Sequence, residues 1–436
     1  MTTLPHPGRA RIAVIGAGIA GLSAAWLLRG AHEVSLFEAQ PRAGGHADTA
    51  EVEIGGVRLA VDTGFIVCNE PNYPNLTALF EALGVETRAS EMSFAVSLGE
   101  GALEYGGGSL GQLFAQPANL ASPRFLGMVR DILRFFRQAR HLLSGDAVDE
   151  PLGEWLARNR YGRGFVEDHI LPMGAAIWSA SVEGMREFPT RHFARFFHNH
   201  GLLRLSGRPL WRTVPGGSRR YVARIAADLG PALLLGEPAR AVWRQGQGAV
   251  VATADGRTRT FDHIILACHA DQARGLIADP TAHEAAVLAP FRCHDNEAVL
   301  HTDARLMPRR RRVWSAWNYL APDRAAAGRP ASVSYWMNRL QGLACPEPVL
   351  VSLNPARPPD PARVLARRSY RHPCFDAATI AAQARLPEIQ GRERLWFAGA
   401  WTGWGFHEDG IASAVAVARR LGVVAPWLAS REPALA

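Results

Sequence analysis

The sequence contains no lysine, and all 48 of its basic residues are arginine. Chemistry that requires an amine side chain, such as a Schiff base to a substrate, is therefore excluded. Cysteine is scarce as well, because the chain has five cysteines and no CxxC pair, which is typical of reduced thiols in the cytoplasm. No apolar run reaches the roughly 18 residues that a transmembrane helix needs. We therefore expect a cytoplasmic protein, either soluble or peripheral on the inner face of the cell membrane.

The composition is that of an ordinary globular protein. A length of 436 residues suggests two or three domains, and 48% hydrophobic with 20% charged residues excludes a disordered chain. A net charge of +8 favours contact with anionic partners. The arginines are nevertheless dispersed, and no zinc finger or RNP motif is present. We therefore expect no nucleic-acid partner.

A glycine-rich motif, GxGxxG, occupies residues 16–21 between a predicted buried strand (11–16) and a predicted helix (17–29). The first glycine permits a tight turn, the second lets the backbone approach a pyrophosphate, and the third packs the helix on the strand. Glu38 ends the next predicted strand, where an acid hydrogen-bonds ribose hydroxyls. The combination predicts a dinucleotide site at a helix N-terminus. Its predicted cofactor contacts are Gly16, Gly18, Ile19, Ala20, Gly21, Glu38 and Ala39.

A second glycine-rich stretch follows at 38–46, with the sequence Glu-Ala-Gln-Pro-Arg-Ala-Gly-Gly-His. Its arginine and its glycine pair can place a guanidinium and another backbone loop against the same pyrophosphate. The alternative is an ordinary exposed glycine turn. The cofactor contacts predicted in this stretch are Arg42, Gly44, Gly45 and His46.

With these motifs the chain resembles the flavin amine oxidase and phytoene desaturase superfamily, in which E-x-x-x-R-x-G-G-R follows the first βαβ unit. This sequence departs at His46, where the pattern has arginine, so a permanent charge is absent. The resemblance covers about residues 10–422 and implies non-covalent FAD. The implied fold class is α/β, a Rossmann-type FAD-binding domain with an inserted mixed α+β substrate domain. We expect the FAD-binding domain at 1–75, 206–285 and 388–436, and the substrate domain at 76–205 and 286–387.

Further segments support the same resemblance. Residues 397–414 resemble the second FAD signature of the superfamily, in which a helix N-terminus faces the flavin, although Ala400 replaces the usual acid. Residues 61–65 resemble the D-x-G segment that passes close to the flavin, and 240–242 resemble the strand that meets the adenine. The two acids at 408–409 could instead merely cap the following helix. The contacts implied are Thr63, Gly64, Phe65, Val242, Gly399, Ala400, Glu408, Asp409, Gly410 and Ile411.

A narrower resemblance concerns the substrate. The segments at 171–179, 197–203, 317–319, 335–341 and 405–410 are similar to a bacterial subgroup that resembles the N-terminal flavoprotein domain of plant cyclopropane fatty acid synthases. This resemblance implies work on lipid acyl chains and a lipid methyltransferase as a partner. The expected reaction is hydride removal from an apolar substrate, namely desaturation of a methyl-branched or otherwise modified acyl chain of a phospholipid.

Two alternatives stay open at this point, a flavin amine oxidase and a non-catalytic flavoprotein partner of a lipid methyltransferase. Many amine oxidases of the superfamily place a lysine-held water at the flavin N5, and this chain has no lysine for that role. Aromatic and methionine residues concentrate at 314–337, which predicts an apolar slot, although each of them singly fits a core position as well. The residues predicted to form the slot wall are Tyr335, Met337, Asn338, Trp401 and His407.

The segment 123–143 is basic and apolar at helical spacing, as interfacial helices are. The run Arg309–Arg312 adds a compact positive patch. Together they predict reversible attachment to anionic membrane surfaces. The alternative is a substrate-domain helix that packs inward, together with a solvated arginine turn.

Overall fold

The structure is a computed structural model that describes residues 8–143, 149–322 and 330–429. The strands, in chain order, are β1 (Arg11–Ile15), β2 (Glu33–Glu38), β3 (Thr49–Ile54), β4 (Val57–Asp62), β5 (Arg88–Ser90), β6 (Phe94–Leu98), β7 (Leu103–Gly106), β8 (Trp211–Thr213), β9 (Leu233–Leu235), β10 (Ala239–Gln245), β11 (Gly248–Thr253), β12 (Thr258–Phe261), β13 (His263–Leu266), β14 (Cys293–His301), β15 (Trp317–Ala321), β16 (Ser332–Trp336), β17 (Leu350–Leu353), β18 (Val364–Pro373) and β19 (Leu395–Phe397). The helices are α1 (Ile19–Leu28), α2 (Pro74–Ala82), α3 (Leu110–Leu113), α4 (Pro123–His141), α5 (Leu152–Arg158), α6 (Arg163–Phe165), α7 (Leu171–Trp178), α8 (Val182–Arg186), α9 (Thr190–Asn199), α10 (Arg219–Leu229), α11 (Ala270–Leu276), α12 (Ala282–Leu288), α13 (Met337–Leu340), α14 (Ala377–Arg385), α15 (His407–Arg420) and α16 (Pro426–Ala429).

Five parallel strands form one sheet, the parallel sheet, in the order β19-β13-β1-β2-β9. The register places Ile12 opposite Val34 of β2 on one side and opposite His263 of β13 on the other. One face packs against α1, α10 and α15, and the other packs against α11, α12 and the small sheet β10-β11-β12. Because both faces are covered, β1 is a nearly continuous apolar run. The predicted βαβ unit is confirmed.

Seven strands form a second sheet, the large sheet, in the order β18-β14-β17-β16-β15-β6-β7. Its strands pair antiparallel except for β15 and β6, which run parallel. Helices α4 to α9 cover one face, and the hairpin β3–β4 packs against the other. The predicted fold class, a Rossmann-type domain combined with a mixed α+β domain, is confirmed. The domain boundaries stay predictions, and three of them fall inside α2, inside α12 and inside a 3-10 turn at 386–388.

The helical spacing of segment 123–143 is confirmed, because α4 spans Pro123–His141, but the main apolar face of this helix lies in the core. Phe125, Met128 and Phe135 are almost completely buried among the aromatic residues of the helical layer. This face of the predicted interfacial helix is therefore a packing face, and attachment to membranes stays a prediction. Within the described ranges, no helix combines the length and the apolarity needed to cross a bilayer.

The arginine run 309–312 is largely engaged within the protein. Arg309 pairs with Glu100 at 2.9 Å, and Arg310 pairs with the fully buried Glu104 at 3.0 Å. The guanidinium of Arg311 lies over an indole ring. Arg309 and Arg310 therefore cross-link neighbouring segments, while the function of the run as a positive patch for membranes stays a prediction.

Candidate functional site

The glycine loop between β1 and α1 is shaped by close approaches of the backbone. Gly16 has a φ angle of +102°, and a Cβ at this position would lie 3.0 Å from the carbonyl oxygen of Ala267. A Cβ on Gly21 would lie 1.8 Å from the carbonyl oxygen of Gly16, so that glycine alone lets α1 pack on the turn. Gly18 differs, because no atom of the described residues lies within 4 Å of an added Cβ. The loop therefore leaves an open space beside the helix N-terminus.

The N-terminus of α1 is suited to an anion. Within the described part of the chain, no side chain caps this helix, and its first turn contains no acidic residue. The N–H groups of Ile19 and Ala20 and the positive end of the helix dipole therefore adjoin the open space at Gly18. These features fit the phosphates of a dinucleotide cofactor.

Glu38 holds the end of β2 against the glycine loop. Its carboxylate accepts the N–H of Ala17 at 2.7 Å and the N–H of Gln40 at 2.9 Å. The acid thus has a structural function before any ligand is considered. Its predicted contact with ribose hydroxyls, and the contact predicted for the exposed Ala39, stay predictions.

The second glycine-rich stretch lies directly against the first. The N–H of Gly44 donates to the carbonyl oxygen of Ala17 at 2.8 Å. Arg42 pairs with Asp48 at 2.9 Å and donates to the carbonyl oxygen of Gly45 at 3.0 Å. The guanidinium that was predicted to reach a pyrophosphate is therefore bound within its own loop.

His46 is surrounded by other rings. The ring centroids of Tyr370, His372 and His269 lie 4.9, 5.3 and 6.2 Å from its own. Burial, with smaller effects of His269 and Arg42, lowers the pKa of His46 to about 4, so the imidazole is neutral at pH 7. Its Nε2 atom is buried and has no hydrogen-bond partner among the described residues. A buried polar atom left without a partner fits a position that faces a bound cofactor.

One strand of the large sheet reaches this site. Arg368, Tyr370 and His372 alternate along β18 and therefore share one face. Arg368 donates from Nε to Asp48 at 2.9 Å, and the Tyr370 hydroxyl donates to the same carboxylate at 3.2 Å. The Tyr370 hydroxyl also lies 2.7 Å from Oγ1 of Thr63. Sequence reasoning missed these residues, and their period-two spacing was the available signal.

The D-x-G segment, residues 61–65, contacts the backbone of His46. A Cβ on Gly64 would lie 2.2 Å from the His46 carbonyl oxygen, and the N–H of Phe65 donates to that oxygen at 2.8 Å. The Phe65 ring stacks on His407, with centroids 3.9 Å apart. Nε2 of His407 lies 3.1 Å from the Tyr221 hydroxyl, and burial lowers the pKa of His407 to about 3.

Asp62, the acid of this segment, anchors a buried network. Its side chain is almost completely buried and accepts hydrogen bonds from Oγ1 of Thr49 (2.6 Å), from the N–H and Oγ of Ser218 (2.9 and 2.7 Å) and from Nε2 of Gln341 (2.8 Å). Burial outweighs these bonds and raises the pKa of Asp62 to about 6. The network joins the hairpin β3–β4 to α10 and to the end of α13.

The start of α15 packs against the start of α1. A Cβ on Gly410 would lie 2.9 Å from Cγ2 of Ile19. The first turns of two helices therefore meet beside the glycine loop, and Ile411 is fully buried in the same core. This convergence places the predicted N- and C-terminal cofactor segments together.

The two acids before Gly410 serve as helix caps. Asp409 accepts the N–H of Phe406 at 2.9 Å and caps its own helix, α15. Glu408 accepts the N–H groups of Asn75 and Leu76 at 3.1 and 3.0 Å and caps a different helix, α2. Burial raises the pKa of Asp409 to about 6 and also raises the pKa of Glu408. Direct contact of either acid with a cofactor stays a prediction.

The remaining predicted cofactor residues lie in ordinary structural positions. Val242 is buried in β10, and its carbonyl oxygen accepts the N–H of Ala278 at 2.9 Å. The N–H of Gly399 donates to Oγ of Ser413 at 2.9 Å, and Ala400 begins a 3-10 turn. Their contacts with a cofactor stay predictions.

A cavity of about 530 Å³, here called the aromatic cavity, opens on the other side of the first turn of α15. Phe196 forms part of its wall and stacks on His200 and on Phe406, with centroids 3.8 and 5.1 Å apart. Burial lowers the pKa of His200 to about 4. The lining residues are Pro71, Asn72, Tyr73, Pro74, Phe196, His198, Asn199, His200, Arg204, Trp404, Phe406, Glu408 and Asp409.

The slot wall predicted from the sequence does not form one surface. Asn338 accepts the N–H of Val349 at 2.7 Å and donates to the carbonyl oxygens of Cys345 and Glu347, so it braces a loop. Met337 is fully buried in the core beneath the hairpin β3–β4. Neither Asn338 nor Met337 is among the described residues that line the aromatic cavity.

Trp401 and Tyr335 also lie apart from each other. Trp401 packs on Phe291 with centroids 4.7 Å apart and donates to the carbonyl oxygen of Cys268, within the core of the parallel sheet. Tyr335 makes an edge contact with Trp317 at 4.9 Å in the large sheet. Of the predicted wall residues, His407 and Trp401 belong to the predicted C-terminal cofactor segment, and a Cβ on Gly399 would lie 2.4 Å from Nε1 of Trp401.

The comparisons with known proteins agree with this arrangement. The chain is 26% identical over 299 residues to a provisionally named flavin-containing monoamine oxidase of Mycobacterium tuberculosis, covering 64% of this chain and 59% of the relative. It is 27% identical over 349 residues to hydroxyneurosporene desaturase of Cereibacter sphaeroides, covering 73% and 64%. The CLA-producing fatty acid isomerase from P. acnes has a similar fold, with a TM-score of 0.67 and 14% identity over 95% of this chain and 99% of that chain.

The chain spans about three fifths of the length of the curated relatives that it matches. The narrower similarity to plant cyclopropane fatty acid synthases stays a prediction. Residues 19–292, more than half of the chain, match the family described as flavin containing amine oxidoreductase. The glycine loops, the two converging helix N-termini and this match lead to one conclusion: the chain belongs to the flavin-containing amine oxidoreductase family.

Proposed function

We propose that the protein is an FAD-dependent oxidoreductase that desaturates a methyl-branched or otherwise modified fatty acyl chain of a phospholipid. The observation that carries this proposal is the position of the aromatic cavity. The first turn of α15 packs against the glycine loop with one side and lines the cavity with the other. A largely apolar substrate in the cavity would therefore lie next to the cofactor segments.

The residues that would hold FAD without a covalent bond are those of the two glycine loops and of the two helix N-termini. The open space at Gly18 suits the pyrophosphate, and the unpartnered Nε2 of His46 offers a polar contact. When bound, a flavin supplies the two-electron oxidation by accepting a hydride from a substrate carbon. The N–H of Gly410 donates to the carbonyl oxygen of Phe406 at 3.2 Å, so the positive end of the α15 dipole, and not this N–H, would stabilise negative charge that develops near the helix N-terminus.

The side chains around the site determine which substrates are favoured. The imidazoles of His46, His200 and His407 are neutral at pH 7, because their pKa values lie near 3 to 4. Phe196 and Phe406 give the cavity wall an apolar part on which an acyl chain would pack. An unactivated C–H bond has no acidic proton, so hydride transfer must dominate the reaction.

Desaturation also releases a proton from the neighbouring carbon as the C=C bond forms. Asp409 lines the cavity, and its pKa of about 6 lies close to the operating pH, so its carboxylate is our candidate for the proton acceptor. Turnover additionally requires an external two-electron acceptor, for which a quinone or an artificial dye serves.

A flavin amine oxidase is the second candidate, favoured by the similarity to the monoamine oxidase relative. The absence of lysine argues against the usual water-holding arrangement of such enzymes. The third candidate is a non-catalytic flavoprotein that acts as the partner of a lipid methyltransferase.

Anaerobic mixing separates the three candidates. The FAD-loaded protein is mixed with phospholipids that carry methyl-branched acyl chains and, separately, with primary amines, while flavin bleaching is followed. Bleaching by the lipid, together with a new unsaturated species in lipid analysis, supports the proposal. Bleaching by amines alone supports the amine oxidase. Absence of bleaching by both, and of turnover with an artificial acceptor, supports the non-catalytic partner.

A further inference from the structure

Exposed leucines gather around one helix of the structure. The described ranges contain nine large hydrophobic side chains that are exposed, and six of them lie on α4, in the segment 110–122 that leads into it, or in the loop 203–210. Leu205 and Leu110 are 75% exposed, and Leu210 is 62% exposed. We call these six residues the leucine surface: Leu110, Leu120, Leu126, Leu133, Leu205 and Leu210.

The chain path brings these residues together. Leu126 and Leu133 lie on the outer face of α4, opposite the buried face of the helix, and the segment with the first two leucines runs directly into α4. At the other end of the helix, Arg140 donates to the carbonyl oxygen of Leu203 at 3.3 Å. This bond places the start of the loop 203–210 beside the C-terminal end of α4.

The segments that carry the leucine surface are rich in arginine, although one of these arginines, Arg124, pairs with Glu167 and Asp168 at 2.8 and 2.7 Å. Residues 110–143 contain five arginines and one acid, Asp131, whose side chain is buried. The loop 203–210 adds two arginines and no acid. On the outer face of α4, Arg130 and Arg137 alternate with the two leucines at helical spacing. Apolar side chains framed by cations complement the acyl chains and phosphates of an anionic bilayer.

We propose that the leucine surface docks the protein on an anionic phospholipid bilayer. The inference deepens the proposed function and rests on it for the nature of the substrate. Arg204 lines the aromatic cavity and immediately precedes Leu205. Docking through this loop therefore brings the edge of the cavity to the level of the lipid headgroups, where an acyl chain can enter without crossing water.

Vesicle binding of the FAD-loaded protein tests the surface. One set of vesicles contains phosphatidylglycerol and phosphatidylcholine in equal parts, and the other contains phosphatidylcholine alone. We expect binding to the anionic vesicles that weakens as salt is raised. Leu205→Ser/Leu210→Ser should lower the partition coefficient about tenfold or more, because two apolar side chains no longer enter the interface.

Two further variants sharpen the test. Arg130→Gln/Arg137→Gln should lower anionic binding by about fivefold for each arginine. Leu235→Ser is the matched control, because Leu235 is an exposed leucine on β9 of the parallel sheet, outside the leucine surface, and its loss should leave binding unchanged. Thermal unfolding and the flavin spectrum of each variant report whether it is folded.

The proposal is overturned if the wild type does not bind anionic vesicles, or if the folded Leu205→Ser/Leu210→Ser variant binds them as well as the wild type. It is equally overturned if the leucines instead hold two copies of the chain together, which sedimentation would detect as a dimer lost in this variant. Turnover of phospholipid dispersed in detergent needs no docking. If the wild type does not turn over phospholipid in detergent, the proposed function alone is refuted. If the wild type turns over this phospholipid but does not bind anionic vesicles, the docking proposal alone is refuted.

Discussion

Replacing Gly18 with alanine adds one methyl group to the open space at the N-terminus of α1. The backbone at Gly18 has φ −74° and ψ −177°, which alanine adopts without strain. No atom of the described residues lies within 4 Å of the added Cβ. The stability of the apoprotein should therefore stay constant or rise by about 0.4–1 kcal/mol, because alanine restricts the unfolded chain.

The same methyl group should weaken the binding of FAD. If the pyrophosphate occupies the open space, the added Cβ overpacks it. Overpacking costs about 1–3 kcal/mol, which corresponds to a dissociation constant roughly 5- to 150-fold higher. Thermal unfolding of the apoprotein measures the first effect, and titration of flavin fluorescence measures the second.

Gly21→Ala provides the matched control. Its Cβ would lie 1.8 Å from the carbonyl oxygen of Gly16, so the backbone must move and both stability and FAD affinity should fall. A Gly18→Ala variant with the affinity of the wild type would refute the placement of the phosphates at this turn. A marked loss of apoprotein stability would show that the space at Gly18 is not open.

Three further variants test the site. Asp409→Asn keeps an acceptor for the helix cap but removes the proposed proton acceptor, so kcat/KM should fall by about 100-fold or more. The rise of activity with pH near 6 should also vanish. An unchanged pH profile would exclude Asp409 as the proton acceptor. Asp62→Ala removes the acceptor of four buried neutral hydrogen-bond donors and should lower the free energy of unfolding by about 1–3 kcal/mol in urea titrations, whereas a loss near zero would contradict the network. The pKa of Asp62 is raised to about 6 in the folded protein, so its protonated form favours folding. The free energy of unfolding of the wild type should therefore be highest below pH 4 and about 3 kcal/mol lower above pH 6. The alanine variant should lack this decrease. His46→Arg places a buried cation beside Arg42 and should lower the Tm of the apoprotein. Adding FAD should raise the Tm of this variant by more than it raises the Tm of the wild type. Equal increases in Tm would argue against a cofactor at this position.

The cofactor segments near the N-terminus could be predicted because their contacts are local. β1, α1 and β2 follow one another, and Glu38 reaches the N–H of Ala17 across 21 residues of chain. The spacing of the three glycines reflects steric contacts within a single turn. A pattern of this kind is fully contained in the sequence.

The substrate region could not be predicted in the same way. In β16, Tyr335 contacts Trp317, whereas the next residue, Trp336, contacts Trp314 at 5.4 Å in a separate small cluster. Neighbouring strand residues point to opposite faces, so a segment rich in aromatics does not produce one wall. The sequence also does not disclose which strand covers which loop, as the contact of Tyr370 with Asp48 across 322 residues illustrates.

Strand β18 is synthesised long after the N-terminal loops that it contacts. Arg368 meets Asp48 across 320 residues of chain. At about 5–20 residues per second, a ribosome needs roughly 15–60 s to synthesise the intervening chain. During this interval the N-terminal loops are made but lack the strand that covers His46, and α15 emerges later still. We therefore expect flavin to bind only after β18 has been synthesised, so ribosome-bound chains that end before β18 should be colourless.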